Sequence, residues 1–397
     1  MKVLRIATVL ILFVLSILVA TGFVSAATET PNMPAVLDNV RSFAASPNAD
    51  GISYANAGGK LIAGKEGNWH TVQFPADIIV AGIAIDTQRA DVVYVGAANE
   101  TSLYRTTDGG TSWLRVPLST VYKGAVTTVA VDSTHRVVYA GTDQGALYRL
   151  LDVGSSIIMG GQQVLPEAIV ELAVDPAGSN LAFARTATQL YQGDNWGLNW
   201  KSVNLHTTPT ALAIANTSPA TVYIGTLDNG VLKSNDGVLW LKANQGLNDN
   251  PGTRLRVDAL AVDPADPTRL YVATSYLFGN TEVHESPVGV AMSEDAGAQW
   301  TIVRSLPTVA VSNLFPVSGK SEAVYAFFAN SRTPFALGNA QQLVAIDTSA
   351  PASSWQQWLA GISLWQALIV VVASLAAVVV LLVMQRNRAR QERVASK

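Results

Sequence analysis

There is no cysteine in the chain. This excludes a disulfide, a thiol nucleophile and a cysteine-ligated metal, and it selects no redox compartment. Histidine is also scarce. His70, His135, His206 and His284 are scattered, with no HExxH or other ligand spacing, so no metal site is expected. No phosphate-binding glycine loop or GxGxxG element stands ahead of a helix, so no nucleotide site is expected and the sequence implies no cofactor. Only 14% of the residues are charged and the net charge is −3, which gives no drive toward nucleic acid. Between the two terminal apolar runs, no amphipathic helical periodicity competes with short β-rich segments.

What the chain has in quantity is apolar residues, 49% of the total, with glycine and proline spread evenly enough to punctuate many short strands. Lys2 and Arg5 precede an apolar run over 6–20, and Val24-Ser25-Ala26 offers small residues for cleavage. Residues 1–26 therefore read as a secretory signal, or as an N-terminal anchor if retained. Residues 364–384 are apolar except for Gln366 and Ser374, a length that crosses a bilayer. A basic tail over 385–397 follows, with Arg386, Arg388, Arg390, Arg393 and Lys397. The positive-inside rule puts that tail in the cytoplasm, where it meets anionic lipid. Trp355, Trp358 and Trp365 flank the opposite end, in and beside a juxtamembrane linker at 353–363. The expectation is a membrane-anchored protein, single-pass or two-pass, whose body lies outside the cytoplasm.

The body repeats itself. Strand-like runs end at Asp86, Asp132, Asp175, Asn216 and Asp263, spaced 41–47 residues apart, and aromatics keep step at Tyr94, Tyr139, Phe183, Tyr223, Tyr271 and Tyr325. A period of that length with four short strands predicts β-propeller blades. Segments such as VVYVGA, VVYAGT, TVYIGT and RLYVAT supply the β-branched and aromatic residues of the strands. The expected fold is an all-β, seven-bladed propeller of four-stranded antiparallel blades over 36–352. The blades fall near 36–75, 78–117, 124–165, 166–204, 208–246, 255–303 and 308–352.

A polar turn recurs between the third and fourth strands. Thr106-x-Asp108-x-Gly110-x-x-Trp113 aligns with Ser293-x-Asp295-x-Gly297-x-x-Trp300. Looser copies are Asn195, Gly197 and Trp200; Asp152 and Gly154, with Ile157 in the tryptophan position; and the shorter Asp236, Gly237 and Trp240. The Asp carboxylate is expected to accept amides two or three residues on, Gly to supply positive φ, and Trp to fill the gap between blades. A residue with the same structural task in every copy is dispersed around a ring, so none is expected to be catalytic.

These motifs resemble the Asp-box, or BNR, repeat. Propellers carrying it occur in sialidases, in sortilin-type receptors and in the photosystem II assembly factor family, and the Asp108-Gly-Gly-x-x-Trp113 copy is most similar to the last group. The resemblance implies a propeller and leaves its activity open. Sialidase-type chemistry would need three arginines on one carboxylate with a Tyr–Glu pair. No Arg-Ile-Pro element opens the propeller, and Arg105 and Arg149 sit at matching Leu-Tyr-Arg positions that follow the repeat. The cysteine-rich modules that accompany the sortilin propeller have no counterpart here.

A partner site is expected on the face opposite these turns. The distance from second-strand aromatic to tryptophan is 17 residues in blades 4 and 5 and 29 in blade 6, which predicts an enlarged loop within 275–289. It carries Tyr276, Phe278, Glu282, His284 and Glu285, and neighbouring loops add Arg185, Asp228 and Arg332. The expected function is a non-catalytic protein-binding or assembly scaffold at the outer membrane face, with Tyr276 and Phe278 as apolar anchors. The alternative ligand is a glycan, bound by a lectin-like or sialidase-like hydrolytic protein. The anchor itself is testable: the full chain should stay with membranes through an alkaline wash, and a chain ending at residue 352 should leave them if the N-terminal segment is cleaved.

Overall fold

A computed structural model describes residues 39–345 apart from 47–50, 66–67, 120–123, 248–251, 280, 304–307, 317–321, 329–334 and 339–342. The expected signal or anchor, the linker, the membrane span and the basic tail lie outside the described residues. Among the described residues there is no helix, and so none long and apolar enough to cross a membrane.

The chain forms an all-β propeller of four-stranded antiparallel blades. Six sheets cover 40–71, 80–117, 126–164, 171–203, 209–242 and 254–302, and a seventh four-stranded sheet covers 311–345. Each is built from four consecutive strands, so no blade borrows a strand from another. The first strand of each sheet is innermost and lies against the first strand of the next, and that of the seventh, Val311–Pro316, returns to that of the first, Val40–Ala44. A cavity of about 450 Å³ runs between them, lined by Phe43, Ile83, Val129, Leu172, Leu212, Leu260 and Leu314, one from each first strand.

The second strands form the densest layer. Val93–Ala97, Val137–Thr142 and Thr221–Thr226 are buried at every position. Each is covered on both faces by neighbouring blades, which is why these runs are continuously apolar and do not alternate. Glycines Gly82, Gly96, Gly141 and Gly225 keep the gaps narrow. A Cβ on any of them would come within 2.4–2.6 Å of a residue in the next blade.

The ring closes by aromatic packing. Phe43 of the first blade meets Phe315 and Tyr325 of the last, with ring centroids 5.8 and 5.5 Å apart, and Trp69 stands at 5.8 Å on its other side. Val40, Ala55, Ile62 and Phe327 complete this seam.

Between blades, the second-strand tyrosine is the recurrent tie. Its ring is buried and its hydroxyl therefore needs a partner, which the third-to-fourth strand turn of the next blade supplies. Tyr54 donates to Gly109 O (2.9 Å), Tyr139 to Trp196 O (2.8 Å) and Tyr223 to Ala296 O (2.9 Å). Tyr94 donates to the Asp152 carboxylate (2.5 Å). Burial raises the phenol of Tyr54 to about 12 and shifts Tyr94, Tyr139 and Tyr223 the same way, which keeps all four protonated as donors.

The residue paired across from the aromatic on the third strand reaches the same turn. Arg149, opposite Tyr139, donates to Trp196 O (2.6 Å), and Lys233, opposite Tyr223, donates to Ala296 O (2.9 Å). Arg105, opposite Tyr94, binds Asp152 (2.7 Å) and Gly154 O (2.8 Å). Phe183 has no hydroxyl, and there Gln192, its cross-strand partner, takes over by donating to Asp236 O (3.2 Å). This is the structural reason for the matching Leu-Tyr-Arg positions.

These ties differ in strength. Tyr139→Phe leaves Trp196 O still bonded to Arg149 and should cost about 1 kcal/mol. Arg105→Met removes the nearer of two arginines from the buried Asp152 carboxylate, leaving Arg89 at 3.7 Å, and should cost about 3 kcal/mol. Urea unfolding of the two variants should reproduce that order.

Candidate functional site

Hydroxyl and carboxylate side chains brace the turns between third and fourth strands. In blade 2, Thr106 Oγ1 donates to Asp108 Oδ1 (2.6 Å) and accepts Gly110 N (2.9 Å), while Asp108 accepts Ser112 N (2.9 Å) and Ser112 Oγ (2.6 Å). Blade 6 repeats this with Ser293, Asp295, Gly297 and Gln299 N (2.8 Å). The amide reached is four residues on, not the expected two or three. In the shorter turn of blade 5 Asp236 accepts from Val238 N and Leu239 N, two and three residues on, and in blade 3 Asp152 accepts from Gly154 N, two residues on. These hydrogen bonds hold Asp108 down to about 2, and lower Asp236 and Asp295 as well.

Gly110, Gly154, Gly197, Gly237 and Gly297 all have positive φ, at 95°, 89°, 72°, 75° and 82°. Trp200 and Trp300 are buried, while Trp113 and Trp240 are half-buried. Each ring lies against the preceding blade: Trp200 meets Tyr139 edge-on at 6.0 Å, Trp240 meets Phe183 at 6.3 Å, Trp113 meets Phe74 at 4.9 Å, and Trp300 donates to Ala243 O at 2.7 Å.

Two copies depart from the pattern. Asn195 does not take the Asp role and makes no side-chain hydrogen bond among the described residues. Gly193 stands where Thr106, Ser234 and Ser293 stand, so the bridging hydroxyl is missing. Asp194 braces that turn instead, accepting from Asn199 Nδ2 (3.0 Å) and Lys201 Nζ (2.9 Å). In blade 3, Asp152 accepts Gly154 N (2.8 Å) but turns the rest of its carboxylate inward, to Tyr94 and Arg105.

The opposite face holds the expected partner residues, and one expectation about it is corrected. Residues 275–289 are not an enlarged loop. The second and third strands of blade 6, Leu270–Phe278 and His284–Ser293, continue as a paired hairpin with Tyr276 opposite Ser286 and Phe278 opposite His284. The first strand, Arg254–Val262, lengthens with them and pairs Leu255 with Tyr276. The physical reason is alternation: Ser275 and Leu277 are buried while Tyr276 is half-buried and Phe278 exposed. Gly279, at φ 93°, makes the turn, and a Cβ there would sit 2.0 Å from Glu282 O.

Within this hairpin, Tyr276 packs on Leu255 and Val257. Phe278 stands 41% exposed with its ring 5.5 Å from that of His284, and Val283 and Glu282 are exposed beside them. Glu285 is bonded to Arg256 (2.7 Å). Arg185 is bonded to Glu171 (2.8 Å) and Asp228 to Thr207 (2.5 Å), so neither is a free rim charge. Arg332 lies outside the described residues.

Arg256, Asp258 and Ser275, none of them chosen from the sequence as site residues, join the hairpin to the central cavity. Arg256 bridges Glu285 on the hairpin and Asp258 on the cavity wall, with Nε 3.0 Å from Asp258 Oδ1. Ser275 donates to Asp258 Oδ2 (2.5 Å), and Glu171 lines the same cavity with Arg185. Burial pushes the Asp258 carboxyl up to about 6, against the opposing pull of Ser275 and Arg256. The only sequence signal for this cluster was the Arg256-x-Asp258 alternation on a lengthened first strand.

No protein-family model matches the chain, and no curated protein matches it in sequence. Solved structures share the fold. A GH74 xyloglucanase from Xanthomonas campestris superposes with a TM-score of 0.59 at 18% identity, over 80% of this chain and 54% of the enzyme. A structure described as YCF48 bound to D1 peptide gives 0.52 at 16% identity, over 76% of this chain and 91% of that one. YCF48 from Cyanidioschyzon merolae gives 0.52 at 15%, over 77% and 94%. The chain thus spans about half the length of the xyloglucanase and nearly all of the YCF48 chains. At these identities the likeness concerns the propeller fold.

Asp258 yields a pH prediction. Its folded value is raised, so between roughly pH 4 and 6 the folded protein holds a proton that the unfolded chain has released. Its contribution is full below that window and lost as pH rises through about 6. Asp258→Asn should flatten the pH dependence of the unfolding midpoint between pH 4 and 7, by up to about 3 kcal/mol. Matched melts of the two proteins across that range check it.

Proposed function

We propose that this protein is a membrane-tethered, extracytoplasmic propeller of the Asp-box type that binds a segment of another protein at the mouth of its central cavity and catalyses no reaction there. The observation that carries this reading is the blade 6 hairpin. It extends a three-stranded arm beside the cavity mouth and leaves Phe278 and Val283 exposed at its tip, while Arg256–Glu285 at its base and Arg185–Glu171 on the cavity wall are already paired within the protein. An apolar anchor on a preorganised arm with its polar neighbours satisfied is what a binding hot spot needs. The Asp-box carboxylates support the same reading, because each is used within its own turn or on the neighbouring blade. The shared fold with a propeller solved with a peptide, over 76% of this chain and 91% of that one, supports it further.

A second reading rests on Asp258. A carboxyl that titrates near 6 on the wall of a cavity has the protonation a glycosidic general acid requires, and the xyloglucanase fold makes a plant-type β-glucan the substrate to try.

One comparison separates the two. The double variant Phe278→Ser/Val283→Ser should keep the wild-type unfolding midpoint and lose the proteins that co-purify with the intact chain from solubilised membranes. If the same proteins co-purify in the same amounts, the hairpin is not the site. Reducing-end release from xyloglucan by the wild type, abolished by Asp258→Asn, would establish the enzymatic reading instead.

A further inference from the structure

The outer strand of a blade presents an unpaired edge, and soluble proteins protect such edges with short strands, charge or proline. Most blades here follow that rule. The outer strands of blades 1, 2, 4, 5, 6 and 7 run two to five residues, and those of blades 2, 4 and 5 carry Arg115, Pro117, Lys201 and Lys242. Blade 3 breaks it. Its outer strand, Ile157–Val164, runs eight residues as IIMGGQQV, and no charged residue occurs between Asp152 and Glu167. Ile158, Met159 and Val164 are 50%, 42% and 47% exposed. The apolar surface continues onto the next blade, where Leu198 is exposed and lies within 3.4 Å of a Cβ built on Gly161.

We infer that this edge pairs with the same edge of a second copy of the chain, antiparallel and about a twofold axis near Gln162. Three observations select a second copy over another protein. A residue near a twofold axis meets itself, so a charge there would face its own kind; this is the one long outer strand among the described residues with no charge at all. Gln162 is exposed and has no hydrogen-bond partner among the described residues, and a carboxamide carries both a donor and an acceptor, so two copies satisfy each other. With Gln162 on the axis, Val164 of one copy falls opposite Gly160 of the other, which brings no side chain of its own to the pair.

The backbone is also prepared for this. Leu165 N points inward to Gly145 O (2.8 Å), so strand alternation turns the N–H and C=O of Val164 and Gln162 outward. Gln163 faces the other way, its carboxamide closing on both backbone groups of Trp200 (3.0 and 2.9 Å). The bulge at Gly160 ends the pairing there, so that it spans Gly160–Val164 and is centred on Gln162.

The absence of cysteine makes the test direct. Single variants Gln162→Cys and Gln163→Cys would be made in the full chain, reconstituted in nanodiscs or detergent, and oxidised with copper phenanthroline. The expected result is a disulfide dimer from Gln162→Cys and little from Gln163→Cys. Gln162→Glu places two like charges on the axis and should weaken self-association, read by light scattering in detergent, by about tenfold or more. A monomeric wild type, equal cross-linking at both positions, or an edge filled by a different protein that co-purifies would each overturn the proposal. These readouts involve neither the blade 6 hairpin nor its ligand.

Discussion

A phenol buried between two sheets must spend its hydroxyl on something, and the rest of this propeller is arranged around where that hydroxyl goes. Blades 1, 2, 3 and 5 each offer a tyrosine to the turn of the next blade, and that turn must hold an acceptor at that point, a carbonyl in three cases and the Asp152 carboxylate in the fourth. The glycine, the aspartate and the hydroxyl residue of the turn serve that end. They fix a backbone excursion through positive φ whose outward carbonyl meets the neighbour's tyrosine. The local motif and the interblade contact are therefore one device, which is why the sequence repeats the turn and the aromatic together. Where one part is missing another moves in: Gln192 beside Phe183, and Asp194 where Gly193 removes the hydroxyl.

This device was legible in the sequence because it repeats. Spacing alone located the second-strand aromatics, the turns and the tryptophans, and the observed strands fall in those positions. The exceptions were invisible for a physical reason. The inward rotation of Asp152 depends on Arg105, which is 47 residues earlier in the chain and on a different sheet. The blade 6 insertion was visible as extra length, but its conformation was not. A loop and a strand extension have the same length, and only the alternation of Ser275, Tyr276, Leu277 and Phe278 distinguishes them.

The candidate site divides in the same way. Phe278, Glu282 and His284 were found from the insertion, and they are together at the hairpin tip. Arg185 and Asp228 were chosen as rim charges, and the fold uses both to hold strands and loops in place. The Arg256–Asp258–Glu285 bridge was missed because two of its members lie on one strand and the third returns 29 residues later. A carboxylate raised toward neutrality by burial leaves no mark in composition; it exists only once the cavity wall exists.

The seam at Phe43 has a consequence for how such a gene can change. Every sheet here is made of four consecutive strands, and the circle is joined by apolar side-chain packing centred on Phe43, Phe315 and Tyr325. A segment encoding one blade could be duplicated or deleted without orphaning a strand in any other. What would need refitting is the angle at which first and last meet, and non-directional apolar packing tolerates a new angle better than a hydrogen-bonded ladder does. Modularity of the ring is thus a property of its joint.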